Sequence, residues 1–354
     1  MNENSVERAY QILNLMNEDV KNADPLYQPT KFWATRAQLV ESGWREYGLE
    51  NFRCKGYGVG MFVPSYGMKS YVPMDKGLNG VKEFVIDQFP DPNFYNKVSH
   101  YIEYSFSGEA EALADYRVLR AADSEIKPFL TVSESQVGNP RDQYCFDGKY
   151  YSRSMLNYLL GLCFLKKHCD TSKIESVMEI GGGYGTLGEI LLGDERNNAF
   201  YINFDIPPTG AVSSYYLSEV LDKKRIGDYL DLKEAEEHNI SELRAQYDVV
   251  NLPAWEIEKL TGSVDLFVNF ISFQEMEPEV VSNYAKKVEA VNPTYILLRN
   301  IREGKRANNV DKQIFGEDYD SFFENYKLVA TNVIPFGFRT MDNFNSELRL
   351  YTKK

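Results

Sequence analysis

The chain has 354 residues, 43% of them hydrophobic and 26% charged, which is enough to bury a full core and leaves room for two domains. A formal charge of −13 argues against a nucleic-acid partner, because a phosphate backbone is bound by clustered Lys and Arg. The same charge disfavours an anionic membrane surface. Among the 46 Tyr and Phe (25 + 21), the tyrosines suit either a polar ligand site, such as a carbohydrate site, or half-buried packing.

Cys54, Cys145, Cys163 and Cys169 form no C-x-x-C pair and no zinc spacing, so they read as free thiols of a reducing compartment. The opening MNENSVERAYQIL has neither a basic nor an apolar signal region. The longest apolar run, Met155 to Leu165, is broken by Asn157 and Gly161 and is too short to span a bilayer. The expectation is a cytoplasmic protein.

In chain order, Val6, Tyr10, Leu13, Met16 and Val20 recur at helical spacing and predict an amphipathic helix over residues 1 to about 22, closed by Pro25 and Pro29. A second helix is predicted over Lys31–Tyr47. The stretch 56–77, GYGVGMFVPSYGMKSYVPMDKG, carries too many Gly and Pro for a long helix and reads as loop. Glu109–Ala122 and Ser152–His168 read as helices, with a polar loop at Glu134–Tyr144 between them. From Lys173 the pattern changes to short apolar strands alternating with helices, the mark of a parallel α/β sheet. Strands are predicted at Ser176–Ile180, Phe200–Phe204, Asp248–Leu252, Leu266–Phe270 and Tyr295–Arg299. Helices are predicted at Thr186–Leu192, Ser213–Leu221, Trp255–Leu260 and Val280–Ala290. Two β-rich runs in the tail, Lys327–Ile334 and Ser346–Thr352, can pair as an antiparallel hairpin on the sheet edge. The domain boundary is expected near residues 150 to 170. That divides a mainly helical N-terminal domain, 1–150, from a Rossmann-like α/β domain, 151–354. The helical part either covers an acceptor or makes a homo-oligomer.

The densest signal is VMEIGGGYGTLG, Val177 to Gly188. Glycine lets the chain turn tightly after a strand and lets backbone N–H groups approach a ligand, while the next helix points its free N–H groups into the same space. Two registers are open. Gly183, Gly185 and Gly188 spell the dinucleotide fingerprint G-x-G-x-x-G, with Asp205 near the place of a ribose-binding acid. Glu179, Gly181, Gly183 and Gly185 spell E-x-G-x-G-x-G, which resembles motif I of the S-adenosylmethionine-dependent methyltransferases. A tight structural turn is the bland alternative.

Segments around the motif extend the second resemblance: KFWATRAQLVESGWREYGLENFR ending at Arg53, ESQVGNP at Glu134 to Pro140, FDIPPTGAVSSYYLSEVL, and NFISFQEM at Asn269 to Met276. Together they resemble the bacterial sugar O-methyltransferase family, over most of the chain from about residue 30. The resemblance implies a mostly parallel sheet with an antiparallel C-terminal hairpin, S-adenosyl-L-methionine as cofactor, and a sugar or sugar-containing acceptor. It places Glu179, Gly181, Gly183 and Gly185 beside the methionine part of the cofactor, Asp205 on the ribose and Asn251 near adenine.

Methyl transfer to a weakly acidic hydroxyl needs in-line alignment and a base or metal. Glu275, just after the fourth strand, is the first candidate base, or else it bonds a backbone N–H or Arg299. His100 is the second candidate, although a lone histidine is more often structural; His168 and His238 read as surface residues. Asn269 and Gln274 are candidates for holding acceptor hydroxyls, whereas Phe273 and Met276 read as core. Glu275, Glu277 and Glu279 near a helix start read as dipole compensation, and no metal is expected. The rival readings are a nicotinamide-dependent oxidoreductase, for which no Tyr-x-x-x-Lys pair is evident, and a non-catalytic cofactor-binding protein.

Overall fold

A computed structural model describes residues 3–54, 65–68, 74–88, 91–305, 312–337, 339 and 345–354. Helices α1 (Glu3–Asp19), α2 (Lys31–Tyr47), α3 (Met74–Asp87), α4 (Pro92–Ser107) and α5 (Glu109–Ala122) come first. A hairpin of β1 (Tyr144–Phe146) and β2 (Lys149–Tyr151) leads into α6 (Arg153–His168). The alternating part runs β3 (Ser176–Ile180), α7 (Thr186–Leu192), β4 (Phe200–Asp205), α8 (Thr209–Val220), β5 (Ile226–Gly227) and α9 (Tyr229–Leu232). It continues through β6 (His238–Asn239), α10 (Ile240–Gln246), β7 (Val249–Pro253), β8 (Leu260–Thr261), β9 (Leu266–Phe270) and α11 (Pro278–Ala290). The last elements are β10 (Tyr295–Ile301), α12 (Tyr319–Phe322), β11 (Tyr326–Asn332) and β12 (Ser346–Lys353).

Among the described residues, eight strands form one sheet in the order β11-β12-β10-β9-β3-β4-β7-β5. All neighbours from β10 to β5 are parallel, and β12 runs antiparallel to both β10 and β11. This is the mostly parallel sheet with an antiparallel C-terminal hairpin that the tail predicted. Strands β3, β4, β7 and β9 are buried along their whole length, as parallel strands covered on both faces are.

Alternation sorts their side chains into two cores. Val177, Tyr201, Val249, Val268 and Leu297 face one layer, with α5, α6, α7 and α8. Met178, Ile202, Val250, Phe267 and Leu298 face the other, with α1, α10 and α11. Helix α6 is buried from Met155 to Leu165, which accounts for its long apolar run; Ser152 caps it by accepting from the Met155 amide at 3.1 Å.

The N-terminal helices are packed into this body. Ile12, Leu13 and Met16 of α1 lie in the second core, and Arg8 pairs with Asp228 at 2.6 Å. The loop-like stretch 56–77 lies largely outside the described residues; its end, from Met74, opens α3. The insertion between β4 and β7 contributes α9, α10 and a side pairing of β6 with β8. His238 in that pairing is buried at 1% exposure and hydrogen-bonded to Glu256 at 2.8 Å, a correction to its reading as a surface residue. Its neighbours in sequence are polar, so nothing local announced that a carboxylate from Glu256 would come to cover it.

Candidate functional site

In an open parallel sheet the crevice forms where the strand order reverses, outside the carboxyl ends of the strands. Here that point lies between β3 and β9, whose chains leave to opposite sides of the sheet. A cavity of about 290 Å³ sits there. Its walls come from the end of β3 (Ile180, Gly181, Gly183), the end of β4 (Phe204, Asp205, Ile206), Ala254 after β7, and Phe270, Ile271, Ser272, Glu275 and Met276 after β9. The far wall is N-terminal, from Leu26, Gln28, Thr30 and Trp33, with Ser154, Thr209, Val280 and Tyr284 completing it.

The glycine loop meets the cavity in a particular backbone shape. Gly181, Gly183 and Gly185 have φ of +73°, +64° and +103°, the left-handed region that side chains rarely adopt. A Cβ at Gly181 would lie 2.3 Å from the Ser272 hydroxyl oxygen, whereas one at Gly183 would meet nothing within 4 Å and stand in open space. Gly185 caps α7, and its Cβ would press on Leu217 at 2.8 Å. Gly188 sits inside α7 with Tyr201 of β4 only 2.8 Å from its Cβ position, so it serves close helix–strand packing.

Asp205 ties this loop to β4. Its Oδ2 accepts from the Gly183 amide at 2.9 Å, and its Oδ1 accepts from the Ile206 amide at 2.8 Å and the Thr209 hydroxyl at 2.5 Å. Burial pushes its carboxyl up to about 6, against these three donors, and the charge of Glu275 adds to the rise. Glu179, by contrast, does not line the cavity. It is wholly buried under the loop and accepts from the hydroxyls of Tyr158 (2.6 Å) and Tyr201 (2.5 Å); burial raises it to about 7.

After β9 the chain makes a 3-10 turn, Ser272–Glu275, entered through Ile271 at φ +75°. A β-branched residue held there is strained, and such strain gathers at ligand sites. The turn divides its residues. Ile271, Ser272 and Glu275 face the cavity, while Asn269, Phe273 and Gln274 turn inward. Asn269 donates to the Ile180 carbonyl at 2.9 Å and accepts from the Phe273 amide at 3.2 Å. Gln274 accepts from the Ile301 amide at 2.7 Å. Both amides are thus used to fix the turn. Met276, read from sequence as core, lines the cavity instead.

Glu275 is held from two further segments. Its Oε2 accepts from the Trp33 indole at 2.9 Å, its Oε1 pairs with Lys305, and its carbonyl accepts from the Thr30 hydroxyl at 3.0 Å. Arg299 bonds elsewhere, donating to the Asn157 carbonyl at 2.6 Å. Asn251 is buried beneath the wall and accepts from Ser213 at 3.0 Å. His100 is exposed on α4, beside Tyr101 and Tyr104, and is not among the cavity residues. Of the ten residues singled out from sequence, the structure therefore gathers Gly181, Gly183, Asp205 and Glu275 around one space. Trp33, Thr30 and Gln28 were missed as site residues; the KFWATR segment held Trp33 alone of the three, and nothing in it carries a spacing rule that points across the fold.

Among the described residues, no group of three or more His, Cys, Asp or Glu stands ready to hold a metal, and no helix is long and apolar enough to cross a membrane. No protein-family model and no curated protein matches the chain. Solved structures similar to part of it include magnesium protoporphyrin IX methyltransferase (ChlM) from Synechocystis PCC 6803 with bound SAM. That match has 10% identity and TM-score 0.38, over 57% of this chain and 79% of that one. The mitomycin 7-O-methyltransferase MmcR (13%, 0.37, over 57% and 55%) and the small RNA methyltransferase HEN1 (15%, 0.38, over 54% and 24%) are further matches. Likeness at this level says nothing of reaction or acceptor.

Two predictions follow from the geometry. Gly183→Ala is expected to fold with a loss of about 1–2 kcal/mol from its φ, yet to lose ligand binding because its methyl projects into the space against which a ligand would lie. Gly181→Ala adds the collision with Ser272, for roughly 1–3 kcal/mol more; denaturant unfolding of the pair reads the difference. The second concerns pH. Glu179 and Asp205 have folded pKa values above their ordinary ones, so between the two values the native state holds protons that the unfolded chain has released. Their contribution is complete below about pH 4 and is lost as pH rises through about 6 to 7. The unfolding midpoint of the free protein is expected to fall across that window, less steeply in Glu179→Gln.

Proposed function

We propose that the chain is an S-adenosyl-L-methionine-dependent O-methyltransferase whose acceptor is a hydroxyl of a sugar or sugar-containing molecule. The observation that carries the cofactor assignment is one shared space: two left-handed glycines, the Asp205 carboxylate and the Glu275 carboxylate border a single cavity at the carboxyl ends of the strands. The open space beside Gly183 admits a ligand against bare backbone, and Asp205 retains acceptor capacity for ribose hydroxyls when ionised. Ile206, Ala254 and Tyr284 give an apolar flank for a base. The antiparallel β12 also favours this reading over a dinucleotide-binding domain.

The cofactor supplies, when bound, a methyl group on a sulfonium. Glu275 then takes the proton of the acceptor hydroxyl, Trp33 and Lys305 hold its carboxylate in place, and Ser272, whose hydroxyl donates to the Ile180 carbonyl and accepts from Asn269, forms the wall beside it. The segment carrying Thr30 and Trp33 covers the site and excludes water. A sugar acceptor is supported by the family resemblance and by the polar lining of Gln28, Thr30, Ser154 and Ser272. Within the N-terminal region, Leu26, Gln28, Thr30 and Trp33 serve as the cover.

One observation keeps the oxidoreductase as the paired control: Gly188 packs closely against Tyr201, as the third glycine of a dinucleotide loop does. Calorimetric titration with S-adenosylhomocysteine and, separately, NADH decides between them. The expected result is micromolar binding of the former, about −8 kcal/mol, abolished in Asp205→Ala and weakened below about pH 6, where Asp205 takes up a proton. Binding of NADH alone would overturn the assignment. Glu275→Gln is expected to keep cofactor affinity and to lower turnover on sugar acceptors by about 10²–10⁴-fold, while His100→Ala leaves turnover unchanged.

A further inference from the structure

Two segments noted in the sequence, the G-L-E-x-F-R run and ESQVGNP, have no part in the cavity. The structure brings them together behind the glycine loop, around a buried carboxylate. Glu134, 2% exposed, accepts on Oε1 from Arg53 (3.0 Å), the Ser152 hydroxyl (2.9 Å) and the Tyr184 hydroxyl (3.0 Å). On Oε2 it accepts from the Ser152 amide (2.6 Å) and Gln143 (3.1 Å). Arg53 has no exposed surface; it also bonds Asp142 at 3.2 Å, and its guanidinium lies 5.0 Å from the centre of the Tyr184 ring.

Tyr184 is the one residue with a side chain between Gly181 and Gly185, and so the natural handle on a stretch that glycine otherwise leaves loose. Phe52 packs on its ring at 5.6 Å, and the chain around Phe52 is itself fixed by the Arg53 amide donating to the Gly138 carbonyl at 2.9 Å. One turn further on, Glu189 of α7 accepts from the Ser135 amide and the Tyr216 hydroxyl, both at 2.7 Å. The loop after α5 is thus fastened to the glycine loop and to the helix that follows it.

We propose that Glu134 and Arg53 are positioning residues for the cofactor loop: the paired carboxylate grips the Tyr184 hydroxyl and so holds Gly183 and Gly185 in the ligand-ready shape. Neither residue borders the cavity, and both act through Tyr184. A buried arginine–carboxylate pair is a weak source of stability in itself but a strong source of fixed geometry once its hydrogen bonds are made. Burial raises Glu189 to about 8 and Asp142 to about 6. The consequence for affinity rests on the S-adenosylmethionine reading; the consequence for loop order does not.

The test pairs amide hydrogen exchange with calorimetry in the full chain. Tyr184→Phe removes one hydroxyl and leaves Glu134 its other donors, so it is the gentle variant; Glu134→Gln is the second. Faster exchange at residues 181–189 is expected in both variants, with exchange in β10 and β12 unchanged. S-adenosylhomocysteine is expected to bind Tyr184→Phe roughly tenfold more weakly, the worth of one hydrogen bond to a charged acceptor, with kcat at saturating cofactor unchanged. Unchanged exchange in the loop overturns the proposal, as does faster exchange with wild-type affinity. Faster loop exchange in a protein whose wild type binds no S-adenosylhomocysteine supports the clamp and removes the cofactor reading alone.

Discussion

The hydrogen bond from the Gly183 amide to the Asp205 carboxylate, 2.9 Å long, is the contact on which the site depends. It joins the loop leaving β3 to the end of β4 and so fixes the mouth of the crevice that the sheet opens at this point. It also requires a backbone shape that only glycine takes easily, which is why Gly181, Gly183 and Gly185 are where they are. A buried acid is costly, and its cost here is offset by three donors. A carboxylate so placed still faces the cavity. Fold and site meet in that one side chain.

Around it the molecule is built as supports at increasing distance. Asn269 and Gln274 fasten the turn that carries Ser272 and Glu275, using hydrogen bonds to Ile180 and Ile301 of the neighbouring strands. Thr30 and Trp33 then fasten the N-terminal wall to Glu275. The same carboxylate is thereby both a candidate base and a tie between two ends of the chain. Glu179, under the loop, holds two tyrosine hydroxyls that brace α6 and β4.

The sheet was legible because parallel strands buried on both faces read as apolar runs: β3 and β9 fall at the predicted residues, and so do α2, α5 and α7. The hairpin of β11 and β12 was legible for its β-branched and aromatic content. Helices α3 and α4 were missed although both are amphipathic: the loop reading of 56–77 ran into the start of α3, and the residues of α4 were given no reading. Within the site, the glycine loop and the strand-end acid Asp205 carry local signals. The division of Asn269 to Met276 into cavity-facing and inward-facing residues does not, because it is set by a 3-10 turn entered at a strained Ile271. Trp33 reaches Glu275 across 242 positions of sequence, a contact that no spacing rule describes.

The most direct test of the account is a crystal structure of the protein grown with S-adenosylhomocysteine. The ligand is expected in the cavity between β3, β4 and β9, its ribose hydroxyls on Asp205, its homocysteine part against Gly181 and Gly183, and its sulfur toward Glu275. A ligand bound elsewhere on the chain, or an empty crevice at saturating concentration with Gly183 and Asp205 unmoved, would contradict it.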